Sequence, residues 1–174
     1  GNPDILAKVL TSLSRLNLQG SYEVLIIGMN NSGLEGFLNV TTTSSGRRLN
    51  RSEMEAYARD VDLFLILHPP KTYELSCSAS IFEALSYEKP IIHFDNDCIN
   101  TYSTKESPIG FCCGSVEEFA ENMADIINNY DAFLIDRNYL INNIKKLRDT
   151  YSIENSKEEI FRVFTWPDKK ERCN

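Results

Sequence analysis

His68 and His93 bracket Cys77, and they are the two histidines of the chain. An imidazole suits proton transfer near neutral pH, and a cysteine just before a helix start can ionise and act as a nucleophile. The three therefore form a candidate Cys/His group, although no protease or redox signature surrounds Cys77 and each histidine reads first as a structural residue at a strand end. Asp95 and Asp97 beside His93 make a second constellation, suited to phosphoryl transfer or hydrolysis; acidic residues so placed are also ordinary turn chemistry. The sharpest grouping is Ser78, Ala79, Ser80 and Glu83. A helix beginning at these serines leaves backbone N–H groups unpaired and carries about half a positive charge, which suits a diphosphate. Glu83, one turn further on, would face the same crevice and accept both hydroxyls of a ribose. Its structural alternative is a glutamate that complements the helix dipole or closes a capping box with Ser80.

The elements that must position these residues follow from periodicity. Ile5, Leu6, Val9, Leu10, Leu13 and Leu16 repeat at helical spacing behind Pro3, predicting a helix over 3–17. YEVLIIG at 22–28 and FLNVTTT at 37–43 read as strands, and Ser52 with Glu55 offers a capping pair for a helix over 52–59. DLFLILHP at 62–69 is apolar throughout, as in a strand buried on both faces, and Pro69 and Pro70 end it. A helix from Ser78 or Ser80, a strand opened by Pro90, a strand over 109–114 and a helix capped by Ser115 follow, then helices over 132–149 and 154–164. Alternating strands and helices imply an α/β fold, a Rossmann-like open parallel sheet with helices on both faces and ligands at the carboxyl ends of the strands. One domain over 3–166 with a polar tail at 167–174 is expected. Because a helix opens the chain where a strand ordinarily precedes it, the sequence reads as a piece of a longer protein.

Composition narrows the function. The 174 residues carry 18 Lys plus Arg against 25 Asp plus Glu, a net charge of −7, with no cationic run, which argues against nucleic acid as the main partner. The longest apolar run, LFLIL at 63–67, is far shorter than the roughly 20 residues of a membrane helix, so no transmembrane segment is expected. Five cysteines without C-x-x-C spacing point to a reducing, cytoplasmic setting rather than a disulfide framework or a zinc site. GMNNSG at 28–33 has the glycine spacing of a P-loop, but Leu34 and Glu35 stand where Lys and Ser/Thr are needed. With no G-x-G-x-x-G either, a dehydrogenase is not expected.

The stretch DVDLFLILHPPKTYELSCSASIFEALSYEKPIIHF resembles the nucleotide-sugar-binding core of GT-B glycosyltransferases. In that family A-D-V and a hydrophobic strand lead through a polar loop to S-x-K-x-F-E-A-hydrophobic-A-x-G-K-P and a second hydrophobic strand. The likeness continues in YEVLIIG and in IGFCCGSVEEFAENMADIINN. It implies the C-terminal, donor-binding half of a GT-B architecture, with Glu83 on the ribose and Ser78, Ala79 and Ser80 along the diphosphate. The family's sugar-contacting acid stands eight positions before the ribose glutamate, which is Leu75 here, with Glu74 adjacent. Ser80 replaces a common Lys, Glu88 replaces the Gly before Lys89-Pro90, and the loops at Gly28 and at Arg47 and Arg48 are the candidates for base and phosphate contacts. The family's basic loop after its first strand would lie upstream of Gly1.

The resemblance thus implies a glycosyltransferase of the polysaccharide-biosynthesis kind that takes a nucleoside-diphosphate sugar as substrate and needs neither metal nor cofactor. Its acceptor would sit on an N-terminal domain outside this chain, so the isolated chain is expected to turn over little. The full-length protein would be cytoplasmic or peripheral to a membrane. The alternative is a non-catalytic α/β interaction or regulatory module derived from such a domain.

Overall fold

The computed structural model describes residues 2–27, 33–43, 49–72 and 78–164, apart from the side chains of 159, 163 and 164. Gly28, Arg47, Arg48, Glu74, Leu75 and Cys77 lie outside the described residues, as does the tail from 165. Asn2 caps the first helix, α1 (Pro3–Leu13), by accepting from the Ile5 amide, and Pro3 occupies the first turn where a missing N–H costs nothing. Leu6, Val9, Leu10 and Leu13 bury one stripe of α1, each worth about 2 kcal/mol in area removed from water. The helix is four residues shorter than its apolar pattern, because the amides of Arg15 and Leu16 turn back to Ser12 and Leu13; Leu16 still packs on the core from that tightened turn.

Two strands, β1 (Val24–Ile26) and β2 (Val40–Thr42), pair in parallel with Val24 opposite Val40. After them α2 (Arg51–Asp60) starts at Asn50 rather than Ser52: Asn50 accepts from the Glu53 amide while the Glu53 carboxylate accepts from the Asn50 amide. The reciprocal box is the one expected of such sequences, two residues earlier than the Ser52–Glu55 pair.

The second sheet runs β3 (Phe64–Ile66), β4 (Ile91–Phe94) and β5 (Gly110–Cys113), all parallel in that order, with α3 (Ala79–Ser86) crossing from β3 to β4. A short helix, α4 (Asp97–Asn100), follows β4 where only a turn was expected, since Asn96 caps it through the Cys98 amide. Ser115 caps α5 (Val116–Asn128) by accepting from the Glu118 amide, as its sequence predicts, and α6 (Tyr130–Thr150) and α7 (Ile153–Phe164) complete the described residues.

Strand β4 is buried along its whole length. Ile92 and Phe94 join Leu67, Cys113, α1 and α5 in one cluster, while Ile91 joins Ile66, Ile81, Ala84, Leu85 and Ile144 of α3 and α6 in another. Helices therefore cover both faces of this sheet, the arrangement that makes its strands apolar throughout. The expected single sheet is instead two small open ones among the described residues. Val24 and Ile26 of β1 share the α1–α5 cluster with Leu67, just beyond β3, and Ile92 of β4, so side-chain packing joins what the ladder does not.

Candidate functional site

The chemistry gathers where β3 and β4 end and α3 begins. Beyond Ile66 the chain passes through buried Leu67 and His68 into Pro69 and Pro70, which cannot continue a ladder. The loop that follows is tied to the end of β4 by Asn96, whose side chain is 2% exposed and donates to the carbonyls of Pro69 and Thr72, each at 2.9 Å. Asn96 thus fixes the rim of the crevice and caps α4 with one side chain. The sequence signal for it was an Asn followed by an acidic residue after a strand, a cap pattern.

Ser78 is the N-cap of α3, yet its side chain makes no cap hydrogen bond. Its hydroxyl is 2.8 Å from His68 Nε2 and 3.3 Å from the Ser80 hydroxyl. A capping serine typically contributes about 1 kcal/mol, so this fold forgoes that contribution to hold a buried Ser–His contact. Of the three residues expected along a diphosphate, Ser78 is buried, Ala79 exposed and Ser80 half-buried.

Glu83 lies one turn on, half-buried, and its carboxylate accepts no hydrogen bond among the described residues. The exposed guanidinium of Arg51 is held by Glu55 at 2.9 Å and feels Glu83 only weakly. The capping box between Ser80 and Glu83 does not form, because Ser78 and not Ser80 begins the helix, which puts Glu83 beyond the capping turn.

His93 occupies β4, fully buried, on the face that α3 covers. Its Nδ1 donates to the Phe94 carbonyl at 2.8 Å, and Nε2 has no hydrogen-bond partner among the described residues. Burial pushes the pKa of both histidines down, partly offset at His93 by the Phe94 carbonyl and Asp95. Both imidazoles are accordingly neutral near pH 7. Asp95 is exposed and accepts from Asn100 at 2.7 Å, while Asp97 sits exposed in the first turn of α4. Hydrogen bonds therefore draw His93 and Asp95 to separate partners, and none joins these two or Asp97 to one another among the described residues.

Among the described cysteines all are free thiols. Burial pushes Cys113 up to about 12 and raises Cys112, the opposite of an activated nucleophile.

The far end of α3 carries two clefts. One of about 210 Å³ is lined by Phe82, Leu85, Ser86, Tyr102, Leu147, Arg148 and Tyr151; the other, about 360 Å³, by Arg51, Glu55, Arg59, Ser86, Tyr87 and Glu88. Neither is lined by Ser78, Ala79, Ser80 or Glu83. Size alone would favour these clefts, but they bring together exposed ion pairs and ring edges, whereas the buried contact between Ser78 and His68 lies at the other end of the helix.

Glu88 ends the turn after α3 with φ of 55°, the left-handed region that favours glycine. Its carboxylate is tied to Arg148 at 2.7 Å and Lys145 at 3.5 Å. Lys89 follows, 8% exposed, donating its ammonium to the Arg59 carbonyl at 2.7 Å and so fastening α2 to this corner; burial pushes its pKa down.

Neither the protein-family models nor the curated proteins compared with this chain match it. Among the described residues no helix is long and apolar enough to cross a membrane.

Proposed function

We propose that this chain is the donor-binding half of a GT-B glycosyltransferase, which takes a sugar from a nucleoside diphosphate to an acceptor held by a second domain. The observation that carries this reading is the start of α3: a capping serine turned away from its helix, beside a half-buried glutamate with no hydrogen-bond partner among the described residues, at the carboxyl end of two parallel strands. Crevices at such strand ends are where open α/β sheets bind ligands. The left-handed backbone at Glu88 adds support, since it falls where the resembling family carries glycine. Displacement at an anomeric carbon requires the departing diphosphate to be stabilised, and the amides of the first turn of α3 with the helix dipole supply that stabilisation. Glu83 would hold the ribose by two charge-assisted hydrogen bonds and so fix the diphosphate over the helix start.

The test is a thermal-shift titration with UDP, GDP, ADP and their sugars on wild type and on Glu83→Ala. Ligand at 100 times its Kd stabilises by about 2.7 kcal/mol, a rise of roughly 5–10 °C for a chain of this size. Losing the ribose contacts is expected to weaken binding by tenfold or more. An equal shift in Glu83→Ala, or no shift with any nucleotide, refutes the proposal. The competing reading as an interaction module draws on the exposed side chains of Tyr151, Ile153, Ile160 and Phe161, and predicts that silence towards every nucleotide.

A further inference from the structure

The two sheets each keep one inner edge without a ladder. In β1 the Val24 amide donates to the Asn39 carbonyl and the Ile26 carbonyl accepts from the Thr43 amide, so residues 24 and 26 direct their backbone groups to β2. Leu25 between them points its N–H and C=O the other way, as alternate residues of a parallel strand do. In β3 the Phe64 amide donates to the Pro90 carbonyl, and Phe64 and Ile66 address β4 in the same manner, which turns Leu65 to the opposite edge. Neither edge has a strand partner among the described residues. Yet Leu25 and Leu65 are half-buried, where unpaired backbone groups are destabilising. The sequence around β3, apolar throughout, suits a strand enclosed on both faces, as β4 is, whereas Leu63, Phe64 and Leu65 are all half-buried.

Both edges belong to one layer. Val24 and Ile26 of β1, Leu65 of β3, Leu67 just beyond it and Ile92 of β4 all pack in or on the cluster beneath α1 and α5. Strand β1 is the inner member of its pair, since Val24 and Ile26 are buried while no residue of β2 is. Even so, β1 and β3 stand further apart than neighbouring strands of either sheet. We propose that the space between them is a seat for one extended apolar segment, which runs parallel to β1 and β3, hydrogen-bonds to both, and closes the two sheets into one in the order β2–β1–segment–β3–β4–β5. The segment is assigned to the stretch of polypeptide that leads into α1. A strand there, followed by α1 and then β1, makes a strand–helix–strand unit whose crossover is a helix already packed on this layer. Its side chains must be apolar on both faces, because one set meets the α1–α5 cluster and the other the side of the sheet that α3 and α6 cover. This seat stands whether or not the crevice at α3 binds a sugar donor.

The experiment appends a probe strand, Val-Ile-Val-Ile-Val followed by Asn-Gly, to the N-terminus of the full chain and follows amide hydrogen exchange by NMR. The unextended chain is measured in parallel, as is an extended chain with Pro at the centre of the probe, which cannot join a central ladder. In the unextended chain the Leu25 and Leu65 amides are expected to exchange roughly tenfold or more faster than Ile92, which is paired to β3. In the extended chain both should slow by roughly tenfold or more. Thr42 and Cys112, whose N–H groups point to the outer edges of β2 and β5, should not change. Leu25 and Leu65 as slow as Ile92 without the probe overturn the proposal, because the edges are then already paired. Slowing at only one of the two, slowing at Thr42 or Cys112 instead, or an equal effect from the Pro-bearing probe overturns it as well. Should the extended chain not fold, the same segment is added as a free peptide to the unextended chain and read at the same amides. Slowing at both Leu25 and Leu65 then supports the seat, and no slowing overturns it.

Discussion

Acidification should unfold this protein through its two buried imidazoles. Both His68 and His93 have pKa values lowered from 6.5 chiefly by burial, and they are 8% and 0% exposed. In the unfolded chain both titrate near their ordinary value, so between that value and the depressed folded ones the unfolded state binds more protons. Stability is then fully present above about pH 6.5 and is lost as the pH falls towards the folded pKa values. Each extra proton bound by the unfolded chain changes stability by about 1.4 kcal/mol per pH unit, so the two histidines together set a ceiling near 2.7 kcal/mol per unit. For a domain of this length that is a fall in Tm of roughly 5–10 °C per unit. Carboxylates ordinarily titrate near pH 4, below the window. Urea denaturation at pH 7.5, 6.5 and 5.5 measures the slope, and His93→Leu, which removes the more deeply buried ring, should reduce it to about 1.4 kcal/mol per unit or less. A stability that is flat or rising from pH 6.5 to 5.5, or the same slope in wild type and His93→Leu, refutes the account of buried neutral imidazoles.

Two further substitutions probe the frame around the site. A Cβ at Gly110 would collide with the Ile91 carbonyl group, so Gly110→Ala must push β5 off β4; a loss above about 4 kcal/mol in urea denaturation is expected, and a loss under about 1 would contradict the strand register. Glu88→Gly and Glu88→Ala both lose the exposed pairing with Arg148 and Lys145, and differ in whether a Cβ must sit at a φ of 55°. The glycine variant should therefore be the more stable by about 1 kcal/mol, and equal stabilities would argue that the turn relaxes freely.

What was legible in the sequence was what periodicity and capping govern. The parallel α/β order, the fully buried β4 and the Ser115 cap follow from local patterns that tertiary structure reinforced. The first helix was read too long because Leu16 keeps the apolar period after the backbone has left the helix, and the period records burial rather than hydrogen bonding. The Asn50 box was displaced to Ser52 because both positions offer an acceptor three residues before a glutamate, and only the chain geometry chooses between them. At the site, the identity of Ser78 and Glu83 as candidates was legible, but the His68–Ser78 contact was not. It joins residues ten apart across a loop, and no spacing rule reports on that.

The geometry also sorts the resembling stretch into residues that the fold accounts for and residues that it does not. Lys89 fastens α2 through the Arg59 carbonyl, Pro90 leads into a strand with no solvent-facing position, and Glu88 turns the chain just before them. Any crossover from α3 into a buried strand at this corner would select such residues, whatever the protein binds. Asn96 likewise answers to the backbone, through two carbonyls and an amide. Glu83 and Ser78 answer to no such demand: the carboxylate accepts no hydrogen bond among the described residues, and the hydroxyl is withheld from the cap it is placed to make. A lysine–proline–isoleucine match therefore weighs on the fold alone, and the functional reading stands or falls on the glutamate and serines of α3. That is why Glu83→Ala and Ser80→Ala, which disturb no structural contact that holds the crossover together, are the decisive variants.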